Sequence, residues 1–185
     1  MEQQTVHLFV FDTLSDWEPV YAIAAINNPA FQAHPGRYRV KTVGLSREPV
    51  TTIGGVTILP DMSLDELEPA QSAMLILPGG AGWEKGEHAE ALEKAKQFLA
   101  AGVPVAAICG ATVGLALAGI LDEKQHTGNS PDELKATNYR GEAFYQHQLA
   151  VTDGNVITAG ATAPVDFAYH ILKKLEVYTT QVLEA

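Results

Sequence analysis

The chain has 185 residues, with 12 Lys and Arg against 22 Asp and Glu for a formal net charge of −10. That length is expected to fold as one domain over residues 1–185, and 46% hydrophobic against 18% charged residues supplies a core and excludes a disordered chain. The acidic balance repels phosphate backbones and anionic lipid, so neither nucleic acid nor a membrane is an expected partner.

The start Met1-Glu2-Gln3-Gln4-Thr5 lacks the basic beginning of a secretory signal, which predicts a cytoplasmic protein. Val6–Phe11 reads as a first strand. Ser15, with Glu18 three residues on, has the spacing of a helix capping box ahead of an apolar helix over Val20–Ile26. Arg39–Leu45 reads as the second strand, and Val50–Leu59, broken by Gly54-Gly55, as a hairpin-like excursion. Ser63 to Glu66 repeats the capping-box spacing for a brief helix. Ala73–Leu77 is wholly apolar, as a strand buried on both faces must be, and Pro78-Gly79-Gly80 stops it.

Glu87–Ala101 reads as a helix with a charged outer face, and Val103–Ile108 as another buried strand running through Cys109-Gly110 into a helix over Ala111–Ala118. The stretch from Pro104 to Leu121 carries no charge, but Pro104, Gly110, Gly114 and Gly119 punctuate it as a strand and a tightly packed helix rather than a membrane span. Ser130-Pro131-Asp132-Glu133 starts a short helix. Leu149–Thr152 and Val156–Ala159 flank Asp153-Gly154-Asn155, a hairpin turn, and Ala163–Leu175 forms the last helix with Lys173 and Lys174 in its final turn. Apolar runs alternating with helical stretches predict an α/β fold, a mostly parallel sheet with helices on both faces.

Ligand sites in such sheets lie beyond the carboxyl ends of the strands. Cys109, the sole cysteine, sits at a strand-to-helix joint, where a sharp turn exposes one side chain and aims a helix N-terminus at it. This is a nucleophile elbow, although a lone cysteine is also a common buried residue. One cysteine excludes an internal disulfide and any multi-cysteine metal site. The consecutive glycines Gly79 and Gly80 leave backbone amides able to approach an oxyanion, or simply make a turn. Glu18 either faces the thiol or caps its helix with Ser15, and spacing alone favours the cap.

No histidine is placed as a base by sequence: His126 follows the Cys109 helix in a loop, His147 precedes a strand, and His170 lies on the polar face of the last helix. His7, His34 and His88 read as surface or strand residues. No spacing suggests a metal, and Gly79-Gly80-Ala81-Gly82 lacks the tail of a phosphate-binding loop, so no cofactor is expected.

Val6–Phe11 with Asp16-Trp17-Glu18, Leu75–Gly80, Ala106–Gly110, Gly119–Asp122 and Asp153–Ala159 leading to Phe167-Ala168 together resemble the PfpI/ThiJ superfamily over nearly the whole chain. These are relatives of class I glutamine amidotransferase domains and include deglycases, glyoxalases and isocyanide hydratases. The resemblance implies a three-layer flavodoxin-like sandwich, a homodimer with the site near its interface, a catalytic Cys109, and Glu18 as the acid that bonds the sulfur. It also implies oxyanion amides at Gly79, Gly80 and Gly110. A protonated Glu18 would stabilise the thiolate and favour its oxidation to sulfinate.

Protease- and amidase-like members carry a histidine directly after the cysteine, where this chain has Gly110. Others carry one at the position aligned with Asn129, from which His126 is displaced. These departures argue against a Cys-His-Asp/Glu amidase or protease. The expected function is addition of the Cys109 thiolate to a small carbonyl or amide electrophile, of hydrolase, hydratase, deglycase or glyoxalase type, with Trp17, His126 and Asn129 as possible pocket residues. The alternatives are a non-catalytic cysteine redox sensor or stress-response binding protein, and a scaffold without chemistry.

Overall fold

The computed structural model describes residues 3–185. Strands β1 (Gln4–Phe9), β2 (Tyr38–Gly44), β5 (Met62–Ser63), β6 (Met74–Leu77), β7 (Val105–Ile108), β8 (Ala150–Asp153) and β9 (Val156–Ala159) form one seven-stranded sheet in the order β5-β2-β1-β6-β7-β9-β8. Every pairing is parallel except that of β8 with β9, the hairpin turned by Gly154-Asn155. The fully apolar runs of the sequence became the central strands: all residues of β6 and β7 are buried.

Helices α1 (Trp17–Asn27) and α5 (Pro164–Lys174) pack together over one face, and α2 (Ala89–Ala100) and α3 (Gly110–Leu117) over the other. Right-handed crossovers dictate this, because the chain steps one way from β1 to β2 and the other way from β6 to β7. The fold is therefore the mostly parallel, flavodoxin-type sheet expected from the sequence. Its order reverses between β1 and β6, and that switch point is where open α/β sheets place their ligands.

The uncharged Pro104–Leu121 stretch holds β7, wholly buried, and α3, buried from Ala111 to Ala116 and exposed at Leu117. Among the described residues no helix is long and apolar enough to cross a membrane. Packing there is tight: a methyl group at Gly114 would lie 2.5 Å from Trp83 Cε3, in the ring of a fully buried tryptophan.

Local expectations met different fates. Ser63 and Glu66 do form a reciprocal capping box, around a 3-10 turn at Leu64–Glu66. Ser130 Oγ accepts the Glu133 amide at 3.1 Å, starting α4 (Pro131–Lys135). The hairpin-like excursion is a pair of two-residue strands, β3 (Val50–Thr51) and β4 (Thr57–Ile58). The expected Ser15 cap is absent: α1 begins beyond Asp16, with no side-chain cap. Asp16 instead accepts the Thr52 hydroxyl at 2.5 Å and the Gly54 amide at 2.8 Å, which fastens the β3–β4 hairpin to the start of α1.

Candidate functional site

Three carboxyl-terminal strand ends meet at the switch point. The first turn of α1, after β1, delivers Glu18, the loop after β6 delivers Gly79 and Gly80, and the end of β7 delivers Cys109. Cys109 has φ 57° and ψ −128°, a backbone conformation unfavourable for a residue with a Cβ. It is held there by its amide, which donates to Ala159 O at 3.0 Å, and by its carbonyl, which accepts the Thr112 amide at 3.0 Å and hydroxyl at 2.7 Å. The turn leaves the thiol half-buried at the first turn of α3.

Glu18 is fully buried. Its Oε2 accepts the Gly79 amide at 2.5 Å, so the carboxyl reaches across the sheet edge instead of back to its own helix. Its other oxygen, Oε1, is buried without a partner of hydrogen-bond geometry. Glycine is required at 79 because a methyl group there would lie 2.6 Å from Cys109 Cβ and 3.0 Å from Sγ. Gly80, at φ +153°, is equally constrained, with Phe11 Cε2 and Thr13 O each 2.7 Å from where its Cβ would be.

Burial pushes the Cys109 thiol up to about 11, and the neighbouring Glu18 charge adds to this, against weaker opposing contributions from Asn129 and the Gly110 amide. Burial also pushes the Glu18 carboxyl up, against the Gly79 amide and the nearby Cys109 and Ser15 side chains. Each group thus resists ionising beside the other. The thiolate that the resemblance implies requires the proton to sit on Glu18.

The remaining sequence candidates fall in different places. Asn129 reaches the site: Nδ2 donates to Cys109 Sγ at 3.5 Å while Oδ1 accepts the Ala161 amide at 2.9 Å, which fixes which end of the amide faces sulfur. Asn129 also lines a cavity of about 420 Å³ with Tyr145, His147 and Ala161. His126 is a correction, because it is fully buried away from the thiol, with Nδ1 on Lys124 O at 2.6 Å and Nε2 on the Tyr139 hydroxyl at 2.9 Å. Both ring nitrogens are engaged, so neither faces Cys109.

Two further readings change. The Gly79 amide is committed to Glu18 and is no open oxyanion donor, which leaves Gly80 and Gly110. Trp17, expected as a pocket residue, is 49% exposed, about 100° round α1 from the buried Glu18 and outside the cavity that Asn129 lines.

Sequence reasoning also missed His88, which is buried rather than superficial. Its Nε2 bonds Ala81 O at 2.9 Å, and Trp83 Nε1 donates to Pro78 O at 3.1 Å, so both rings brace the 78–81 loop. The signal was the aromatic company of Phe11 and Trp83, which is legible only once the strands are placed. Among the described residues no three His, Cys, Asp or Glu side chains converge as metal ligands.

The DJ-1/PfpI family model matches residues 4–174. The uncharacterized protease YoaZ of Bacillus subtilis is 43% identical, over 100% of this chain and 90% of its own. A crystal structure of a thiJ/pfpI family protein from Bacillus anthracis superposes with a TM-score of 0.91 at 44% identity, covering 100% of this chain and 89% of that one. A more distant relative is a deglycase of Pyrococcus abyssi, 28% identical over 66% of this chain and 73% of its own.

Proposed function

Because the chain belongs to the DJ-1/PfpI family, we propose that it is a cysteine-dependent enzyme of hydrolase type in which Cys109 adds to the carbonyl carbon of a small electrophile. The observation that carries this reading is the fully buried Glu18 carboxyl, which meets the only thiol at Gly79 and leaves its Oε1 without a partner. An unsatisfied buried oxygen costs about 1–3 kcal/mol, so an acceptor kept free next to a nucleophile points to a proton it takes up during turnover.

The Sγ proton passes to the Glu18 carboxylate as the S–C bond forms, and the carbonyl π pair moves to oxygen. The Gly80 and Gly110 amides are the donors available to that oxyanion. Glu18 then returns the proton to it, giving a neutral thiohemiacetal, and in an α-oxoaldehyde the carbinol C–H proton then moves by way of the Glu18 carboxylate to the neighbouring carbonyl carbon, giving the thioester of an α-hydroxy acid that water hydrolyses. Where the carbonyl bears an amine, collapse expels it with the same proton, and water hydrolyses the thioester. Neither course needs a histidine, which suits a chain with Gly110 after the cysteine and Asn129 in the loop. The printed names of relatives, a protease and a deglycase, are both hydrolytic. The deglycase name fits this mechanism better, since peptide hydrolysis ordinarily recruits a base for the attacking water.

A homodimer belongs to the same reading. Trp17, Val20 and Tyr21, at i, i+3 and i+4 on α1, form an exposed apolar stripe beside Ile53 and Val56 of the hairpin that Asp16 ties down. A second copy on this face would bury Trp17 and bring the interface to the helix that carries Glu18. A cytoplasmic setting, where a lone thiol stays reduced, suits the chemistry.

The test is consumption of α-oxoaldehydes and of their amine adducts by the native chain, Cys109→Ser and Glu18→Gln. The reading expects turnover that both substitutions abolish. Turnover persisting in Cys109→Ser contradicts it, and no turnover together with a protein partner gained only after mild peroxide favours the redox sensor.

A further inference from the structure

We propose that a second ligand site lies at the opposite end of the sheet from Cys109, in a cavity of about 510 Å³ where Lys96, Lys124 and Lys174 surround Leu99, Ile120 and Val156, and that it binds a small organic polyanion of the nucleoside di- or triphosphate class. The location follows from the strand register. Val105 pairs with Val156 at the amino-terminal ends of β7 and β9, whereas Cys109 follows the carboxyl end of β7, so the length of a strand separates the two places.

Charge identifies the ligand class. The chain carries 12 cations against 22 acids, yet three of the cations meet at this cavity and no Asp or Glu lines it. They arrive from α2, from the segment after α3 and from the last turn of α5. Their charge is not spent on neighbours. Lys174 Nζ donates to the Gly154 carbonyl at 2.9 Å, which positions the ammonium without neutralising it. Lys96 has only exposed Glu93 at 4.0 Å, a loose surface pair worth little. Among the described residues no carboxylate pairs with Lys124.

Three compact ammonium groups suit phosphate oxygens, and repulsion among them is relieved by a ligand of two or more negative charges. The apolar side chains offer a surface for a planar or apolar body, which a bare phosphate lacks. The volume lies within the usual range for small-molecule sites.

The experiment is calorimetric titration of the full chain with ADP, adenosine and inorganic phosphate, repeated with Lys124→Gln, Lys96→Gln and Cys109→Ala, each checked for an unchanged thermal midpoint. Saturable binding of one ADP per chain is expected, at least about tenfold tighter than adenosine or phosphate. Lys124→Gln and Lys96→Gln should each weaken it about tenfold, the worth of one charge-assisted hydrogen bond. Added salt should weaken it too, and Cys109→Ala should leave it unchanged. The proposal is overturned by no saturable ADP binding, by phosphate matching ADP, by insensitivity to both lysine substitutions, or by a single-stranded oligonucleotide that outcompetes ADP through the same lysines.

Discussion

Glu18 Oε2 accepts the Gly79 amide at 2.5 Å, and this bond joins the first turn of α1 to the loop after β6 at the glycine that packs against Cys109. It fixes the carboxyl so that one oxygen is engaged and the other is left free, and it removes Gly79 from the amides that can meet an oxyanion. A residue at 79 with any side chain would fill the space in which thiol and carboxyl meet. Gly79→Ala is therefore expected to cost about 1–3 kcal/mol through overpacking and to displace the thiol from Glu18. Thermal unfolding and the rate of iodoacetamide alkylation measure the two effects. A variant native in both would mean that the contact does not organise the site.

Asn129 donates to sulfur while its oxygen is held by the Ala161 amide. Asn129→Asp keeps that acceptor but replaces the donor with a negative charge, which raises the thiol further. Alkylation at neutral pH should fall about tenfold, with a smaller fall in Asn129→Ala, the cost of losing one donor to an anion. Equal rates in all three proteins would show that the amide has no influence on the thiolate.

Burial holds His7 down to about 4 from its ordinary 6.5, helped by Lys41 and Arg39 and opposed by Asp61, while Nδ1 bonds Ser72 Oγ at 2.8 Å. The folded chain keeps this ring neutral where the unfolded chain protonates it. The unfolded state thus binds more protons between pH 6.5 and about 4, and stability falls as pH falls through that window, by up to about 3 kcal/mol from this group. His126 and His170 are lowered by burial as well and act in the same direction. Urea unfolding at pH 7 and pH 4.5 checks this, because His7→Gln should lose less stability between the two.

Tyr21 is 55% exposed on the apolar stripe of α1 and Ile53 is 61% exposed beside it. Tyr21→Glu should convert a dimer to a monomer in light scattering without loss of secondary structure, since more than half of the side chain already faces solvent in the single chain. A native protein that is already monomeric at micromolar concentration would contradict the dimer.

Much of this was legible in the sequence, and for identifiable reasons. Leu75–Leu77 and Val105–Ile108 announce buried parallel strands because nothing polar interrupts them, and the elbow follows from a cysteine set between such a strand and a helix. Glu18 shows where legibility stops. Its spacing from Ser15 fits a capping box, and only the tertiary pull of the Gly79 amide decides otherwise. His126 and Asn129 lie in one loop, and sequence could not tell which one faces sulfur, because that choice depends on the Tyr139 hydroxyl that captures the histidine ring. Asp16 is a clasp for the hairpin through partners thirty-odd positions away, a role that local spacing does not signal.

The pH dependence of iodoacetamide alkylation in the native chain and in Glu18→Gln measures the proposed transfer of the thiol proton to Glu18, because Cys109 is the only thiol. With Glu18 ionised the thiol is pushed up to about 11, so direct ionisation supplies little nucleophile at neutral pH. Transfer to the carboxyl supplies it with no change in the net charge of the pair. The native chain should therefore alkylate at a rate nearly independent of pH around neutrality, and Glu18→Gln about tenfold more slowly there, rising with pH as a lone buried thiol does. A Glu18→Gln protein that alkylates as fast as the native chain, or faster, would show that the carboxylate only repels the thiolate and would contradict the account.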